Sequence, residues 1–122
     1  MKVTPYYNED ETKIAVLLTR DYGAGWSTWS KPDLAYDSRV VQFYISHQAR
    51  DEKWKKKASS MGTPQYNEMD HFLQSIGYKH IYLGGLRNLE LCWIDVGRPW
   101  RIREYDGLES IEFSDDVKWC VI

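Results

Sequence analysis

The sequence predicts an α+β fold in which an antiparallel sheet of five or six strands packs with two helices. Three observations carry this. Lys13 to Thr19 is an almost unbroken apolar run of strand length. Two segments, about Ser38 to Gln48 and Pro64 to Ile76, place apolar residues at helical spacing. From Lys79 onward the pattern alternates with period two and is cut by turn dipeptides, above all Asp106-Gly107. At 122 residues the chain is expected to form a single domain, 1–122, with a core of its own.

Taken in order, Lys2 to Tyr7 is a short strand, and Pro5 confines it to an edge because it cannot donate a ladder bond. Asn8-Glu9-Asp10-Glu11 turns the chain into the Lys13–Thr19 strand, whose apolar run implies burial on both faces. A glycine- and tryptophan-containing loop follows. Asp37 is the N-cap of the first helix, and Val40, Val41, Tyr44 and Ile45 share its buried face. The polar stretch from Arg50 to Gly62, rich in lysine, reads as a solvated excursion or as a basic patch for a phosphate or a partner. Thr63-Pro64 opens the second helix as cap and first residue. Met69, Phe72, Leu73 and Ile76 form its apolar stripe, and Gly77 stops it. His80 to Leu83 is a short strand, Leu89, Leu91 and Trp93 mark another, and Val117, Trp119 and Val121 mark the last.

The Asp106-Gly107 turn fixes the register of the strands beside it, Trp100 to Tyr105 and Leu108 to Phe113. Tyr105 should face Leu108, Arg103 should face Ser110, and Arg101 should face Glu112. On the other side Ile102 meets Ile111 and Trp100 meets Phe113, so that side is core. Arg101 then has a carboxylate opposite, whereas Arg103 faces only a serine and is expected to be the freer anion contact.

A net charge of −2 argues against a general nucleic-acid or membrane role. The longest apolar run, Ile14 to Leu18, is too short to span a bilayer, and Met1 to Pro5 holds no signal-peptide core. Cys92 and Cys120 lack metal-ligand spacing and read as buried thiols of a cytoplasmic protein. His47, His71 and His80 are scattered, no Gly-x-Ser-x-Gly elbow is present, and Gly23-Ala24-Gly25 lacks the third glycine of a dinucleotide fingerprint. No catalytic residue, metal or cofactor is therefore expected. Aromatic residues make up 15% of the chain, with six Trp and nine Tyr, which suits stacking sites and interfaces as well as cores.

The loop Arg20-Asp21-Tyr22-Gly23-Ala24-Gly25-Trp26-Ser27-Thr28-Trp29 gathers the binding chemistry. It admits two readings: a tight connection whose aromatics cap the core, or a cradle of backbone N–H groups beside an aromatic platform. On the second reading a nucleotide is held by Arg20, Tyr22, Gly23, Gly25, Trp26 and Ser27 from the loop and by Arg101, Arg103 and Asp106 from the hairpin.

The runs Lys13 to Trp29, Leu34 to Val41, Tyr82 to Arg87 and Arg101 to Ser110, with their Gly-Ala-Gly-Trp and Glu-Tyr-Asp-Gly motifs, resemble a widespread group of small tailed-bacteriophage proteins. That group is similar to the first family of Thoeris anti-defence proteins, sponges that sequester cyclic ADP-ribose immune signals without cleaving them. The resemblance implies an antiparallel sheet with two helices, a homo-oligomer assembled through its helices, and a ligand held near subunit interfaces in the host cytoplasm. A different class, a phage inhibitor that binds a host protein with its tryptophans as interface anchors, is the alternative expectation.

Overall fold

The computed structural model describes residues 3–20, 25–50, 64–81, 83 and 89–114. They form an α+β domain whose centre is an antiparallel ladder of β1 (Lys13–Thr19) and β2 (Leu89–Asp95). Lys13 lies opposite Asp95 and Thr19 opposite Leu89. The two strands are far apart in sequence because both helices, α1 (Ser38–Arg50) and α2 (Pro64–Ser75), intervene. A second ladder, β3 (Trp100–Tyr105) with β4 (Leu108–Phe113), is the hairpin around Asp106-Gly107. Both turn residues have positive φ, 49° and 87°, the type I′ geometry that this dipeptide favours.

β1 is buried on both faces, as its continuous apolar run requires. Ala15 and Leu17 pack with Val40, Val41 and Tyr44 of α1, Met69 and Leu73 of α2, and Trp26, Leu34 and Leu89. Val16 and Leu18 face the other way, toward Ala35, Ile94 and the hairpin residues Trp100, Ile102, Ile111 and Phe113. The central ladder is thus a layer between helices and hairpin. On the helical side the Tyr44 hydroxyl donates to the Leu89 carbonyl at 2.8 Å, and burial pushes its pKa up to about 12.

The helix signals act as their chemistry demands. Asp37 Oδ1 accepts the Arg39 N–H at 3.0 Å, capping α1. After α2, Gly77 has φ 105°, its N–H donates to Gln74 O at 3.1 Å, and the Tyr78 N–H donates to Leu73 O at 2.9 Å. This is the Schellman pair of bonds, and Tyr78 and Leu73 are both buried in the helical core as its hydrophobic contact.

The sheet differs from the expected five or six strands: the described residues form two separate two-stranded ladders. The end of β1 meets the start of β4, but side-chain hydrogen bonds join them there rather than a ladder. Residues 3–7 make only isolated bridges, Pro5 to Asp37 and Tyr7 to Ile14, because Pro5 has no N–H to extend a pairing. The stretch expected as a strand at His80–Leu83 is broken by His80, whose φ of 59° is incompatible with extended pairing. Ile81 and Leu83 nevertheless join the core. The expected strand at 117–121, the lysine-rich excursion and Gly84-Gly85 fall outside the described residues. Among the described residues no helix is long and apolar enough to cross a membrane.

Candidate functional site

The loop after β1 is held by one carboxylate. Glu109, on the core-facing side of the hairpin opposite Glu104, is fully buried. Its Oε1 accepts the Thr19 N–H at 3.0 Å. Its Oε2 accepts the N–H groups of Trp26 at 3.2 Å and Thr28 at 3.1 Å, and the Thr28 hydroxyl donates to the same oxygen. Thr19 Oγ1 adds a bond to the Gly107 carbonyl at 3.1 Å. A buried carboxylate is tolerable only when donors surround it, and here backbone and hydroxyl donors do so. The donors belong to two segments, the end of β1 and the loop, and Glu109 ties both to the hairpin that carries it.

The same turn, a 3₁₀ segment at Ser27–Trp29, is tied a second time. The Trp29 indole donates to Glu104 Oε2 at 2.9 Å. Two glutamates facing each other near the hairpin tip therefore grip successive residues of the loop. Gly25 completes the arrangement: a Cβ placed there would lie 2.3 Å from the Trp29 ring. The ring occupies the space that a side chain would need.

Between this turn and the hairpin lies a cleft of about 310 Å³. Among the described residues, Ser27, Thr28 and Ser30 form its polar side, and Pro32, Ala35, Tyr36, Trp100 and Ile102 also line it. Pro32 and Ala35 belong to a second 3₁₀ segment, Pro32–Ala35, which carries the chain toward α1. Tyr36 and Trp100 meet edge to face, 6.1 Å between centroids and 88° between planes. The Tyr36 hydroxyl donates to Asp33 Oδ1 at 3.1 Å, and burial, with that acidic neighbour, raises its pKa. Tyr36 stays a neutral aromatic wall.

Of the described residues expected to bind ligand, Ser27 alone lines this cleft. Trp26 is fully buried, with its indole N–H donating to the Leu34 carbonyl at 3.2 Å. Its ring belongs to the core, not to a stacking platform. Gly25 is buried under Trp29. Arg20 is exposed and pairs with Glu90 at 3.3 Å across the central ladder. Asp106 is exposed at the hairpin tip. Tyr22 and Gly23 lie outside the described residues.

The hairpin register is as expected, residue for residue. It sets Arg101 and Arg103 on the face opposite Trp100 and Ile102, away from the cleft. Arg103 also corrects the expectation of a freer arginine. It reaches diagonally to Glu112 Oε2 at 3.1 Å, while Arg101 donates to Glu112 Oε1 at 2.7 Å. Both side chains are long enough to share one carboxylate, which directly opposed pairing did not reveal. A further cavity of about 310 Å³ lies at the other end of the hairpin, lined by Pro99, Trp100, Arg101, Glu112 and Ser114.

Sequence reasoning missed Tyr36, Trp100 and Ile102 as the wall of the cleft and Glu109 as the anchor of the loop. A signal for Glu109 existed. Extending the register by one pair puts Glu104 and Glu109 on the core side, where two carboxylates need an explanation.

Two further polar clusters are structural. Asp37 is buried; burial alone would raise its carboxyl pKa, but hydrogen bonds from Arg39 and Tyr78 outweigh that and hold it below its ordinary value. The Tyr78 hydroxyl donates to Asp37 Oδ2 at 2.8 Å, and burial and that carboxylate raise the tyrosine pKa. The bond ties the exit of α2 to the entry of α1. His47 links the helices: its Nε2 meets Glu68, and its Nδ1 lies 2.8 Å from the Phe43 carbonyl. That contact makes Nδ1 a donor, so the nearby Ser46 hydroxyl has no base there to activate it. Among the described residues no cluster of three or more His, Cys, Asp or Glu side chains could hold a metal. Comparison with family models, curated proteins and solved structures gives no match.

Proposed function

We propose that this chain is a phage-encoded anti-defence protein that binds a cyclic ADP-ribose-type nucleotide signal and sequesters it without cleaving it. The observation that carries the reading is the cleft beside the Ser27–Trp29 turn. It joins an aromatic wall, Tyr36 and Trp100, to the hydroxyl-bearing residues Ser27, Thr28 and Ser30. Aromatic faces stack nucleobases, and hydroxyls serve ribose and base edges. At about 310 Å³ the cleft falls at the small end of the ~300–1,000 Å³ typical of small-molecule sites. Sequestration asks for a rigid site rather than a reactive one, and Glu109 and Glu104 supply rigidity from behind. The resemblance to Thoeris anti-defence proteins supports the same class, along with a cytoplasmic location and assembly of copies through the helices.

The test is to incubate the protein with cyclic ADP-ribose isomers, remove free ligand, denature the protein and analyse what it releases. Intact isomer is the expected result. A changed product would make the protein an enzyme, and no uptake would remove the nucleotide reading. Sedimentation at high concentration tests self-association, with a monomer as the refuting outcome.

A second reading, inhibition of a host protein by direct contact, is favoured by one observation. Trp29, Trp93 and Tyr105 are exposed by 40%, 43% and 74%, and large aromatics of this kind anchor protein interfaces.

A further inference from the structure

Ser27 is 2% exposed and lines the cleft, yet among the described residues its hydroxyl makes no hydrogen bond. The neighbouring Thr28 hydroxyl, by contrast, is committed to Glu109. A buried hydroxyl is ordinarily partnered, so one left open against a cavity calls for a group inside it. Across the same cleft stand the Tyr36 ring and the Trp100 indole, edge to face, with Ile102 beside them. The hairpin turns Arg101 and Arg103 to its opposite face, where both pair with Glu112. The chemistry gathered at the cleft is therefore aromatic, apolar and hydroxylic, with the paired arginines outside it.

We infer that the cleft receives the uncharged nucleoside part of the ligand, its base against Trp100 and Tyr36 and its polar edge hydrogen-bonded by Ser27, while the phosphates remain outside. This rests on the proposed nucleotide-binding role and adds which half of the ligand is read and by which side chain. Ser27 is then the residue that selects for a ligand with a hydrogen-bonding group at that position.

Ser27→Ala separates this role from a structural one by the sign of two effects. A serine that holds the fold loses stability when truncated. A buried hydroxyl without a protein partner costs nothing to remove, and its loss can stabilise. The expected result is an unchanged or higher melting temperature together with about tenfold weaker binding, the loss of roughly one hydrogen bond to ligand.

The experiment is calorimetric titration of the parent, Ser27→Ala and Trp100→Leu with four probes: a cyclic ADP-ribose isomer, adenosine, ADP and inorganic pyrophosphate. Adenosine should bind, compete with the cyclic isomer and lose affinity in both variants, pyrophosphate should not compete, and the binding of adenosine should be nearly independent of salt. If the cyclic isomer binds but adenosine does not, or Ser27→Ala binds like the parent, the inference is overturned while the proposed function stands. If none of the nucleotides or the nucleoside binds the parent, both are overturned.

Discussion

Replacing Glu109 by glutamine keeps the volume of the side chain but exchanges one acceptor oxygen for a donor NH2. The carboxylate is fully buried, and its two oxygens serve unequal loads. Among the described residues Oε2 accepts from the Trp26 N–H, the Thr28 N–H and the Thr28 hydroxyl, whereas Oε1 accepts from the Thr19 N–H alone. The amide will therefore keep its oxygen at the Oε2 position and turn its NH2 toward Thr19. That loses one charge-assisted bond, worth ~1.5–3 kcal/mol, and leaves a buried N–H facing another donor, at ~1–3 kcal/mol. The two figures overlap, so the expected loss is about 2–4 kcal/mol, a large share of the ~5–15 kcal/mol total of an ordinary domain. The melting temperature should fall by on the order of 10 °C. Glu109→Ala should cost more, because it strands every donor at once. Urea and thermal melts measure the total. Amide hydrogen exchange locates it, with Trp26 and Thr28 losing protection in the alanine variant before the central ladder does. A glutamine variant that melts within about 2 °C of the parent would refute the assignment of Glu109 as the anchor of this loop.

Gly25→Ala should displace Trp29, since a Cβ there would sit 2.3 Å from its ring, and should break the indole bond to Glu104. A loss of about 1–3 kcal/mol and a shift in tryptophan fluorescence are expected, and an unchanged spectrum would count against it. Arg101→Ala and Arg103→Ala should each change stability by less than about 1 kcal/mol, because both side chains are mostly exposed around a shared Glu112. Neither should weaken adenosine binding, and a tenfold loss in Arg103→Ala would return the anion site to that face. Asp37 has a lowered folded pKa, so its contribution is complete above the unfolded carboxyl value of about 3.9 and is lost as pH falls through the folded one. Asp37→Asn should flatten that acid limb and, since asparagine caps about as well as aspartate, cost about 1.5–3 kcal/mol at neutral pH through the weakened charge-assisted bonds from Arg39 and Tyr78, both measured by denaturant melts across pH. Tyr44→Phe should cost about 0.5–1.5 kcal/mol for the bond to Leu89, and ultraviolet titration of the parent should find this phenol ionising only near pH 12. A titration midpoint near the ordinary tyrosine value of ~10 would remove Tyr44 from the core.

What the sequence determined by itself was local. The cap at Asp37, the stop at Gly77, the two-sided burial of β1 and every cross-strand pair around Asp106-Gly107 follow from short-range geometry, because a few adjacent residues fix each of them. The composition also singled out the loop from Arg20 to Trp29. It could not show which way its aromatics point. Trp26 and Trp29 are three residues apart and chemically alike, yet one is core and the other is a half-exposed lid over Gly25. Tertiary structure alone decided that, through Glu109 and Glu104, which act on the loop from about 75 to 83 residues away in the chain. It also decided that β1 takes β2, rather than the hairpin, as its ladder partner, and that Arg103 spends its charge on Glu112. The cleft belongs to this second kind: Tyr36 and Trp100 meet only after two distant segments have packed on the same face of β1. Local pattern encodes which face of an element is buried; what that face meets is set by the packing of the whole chain.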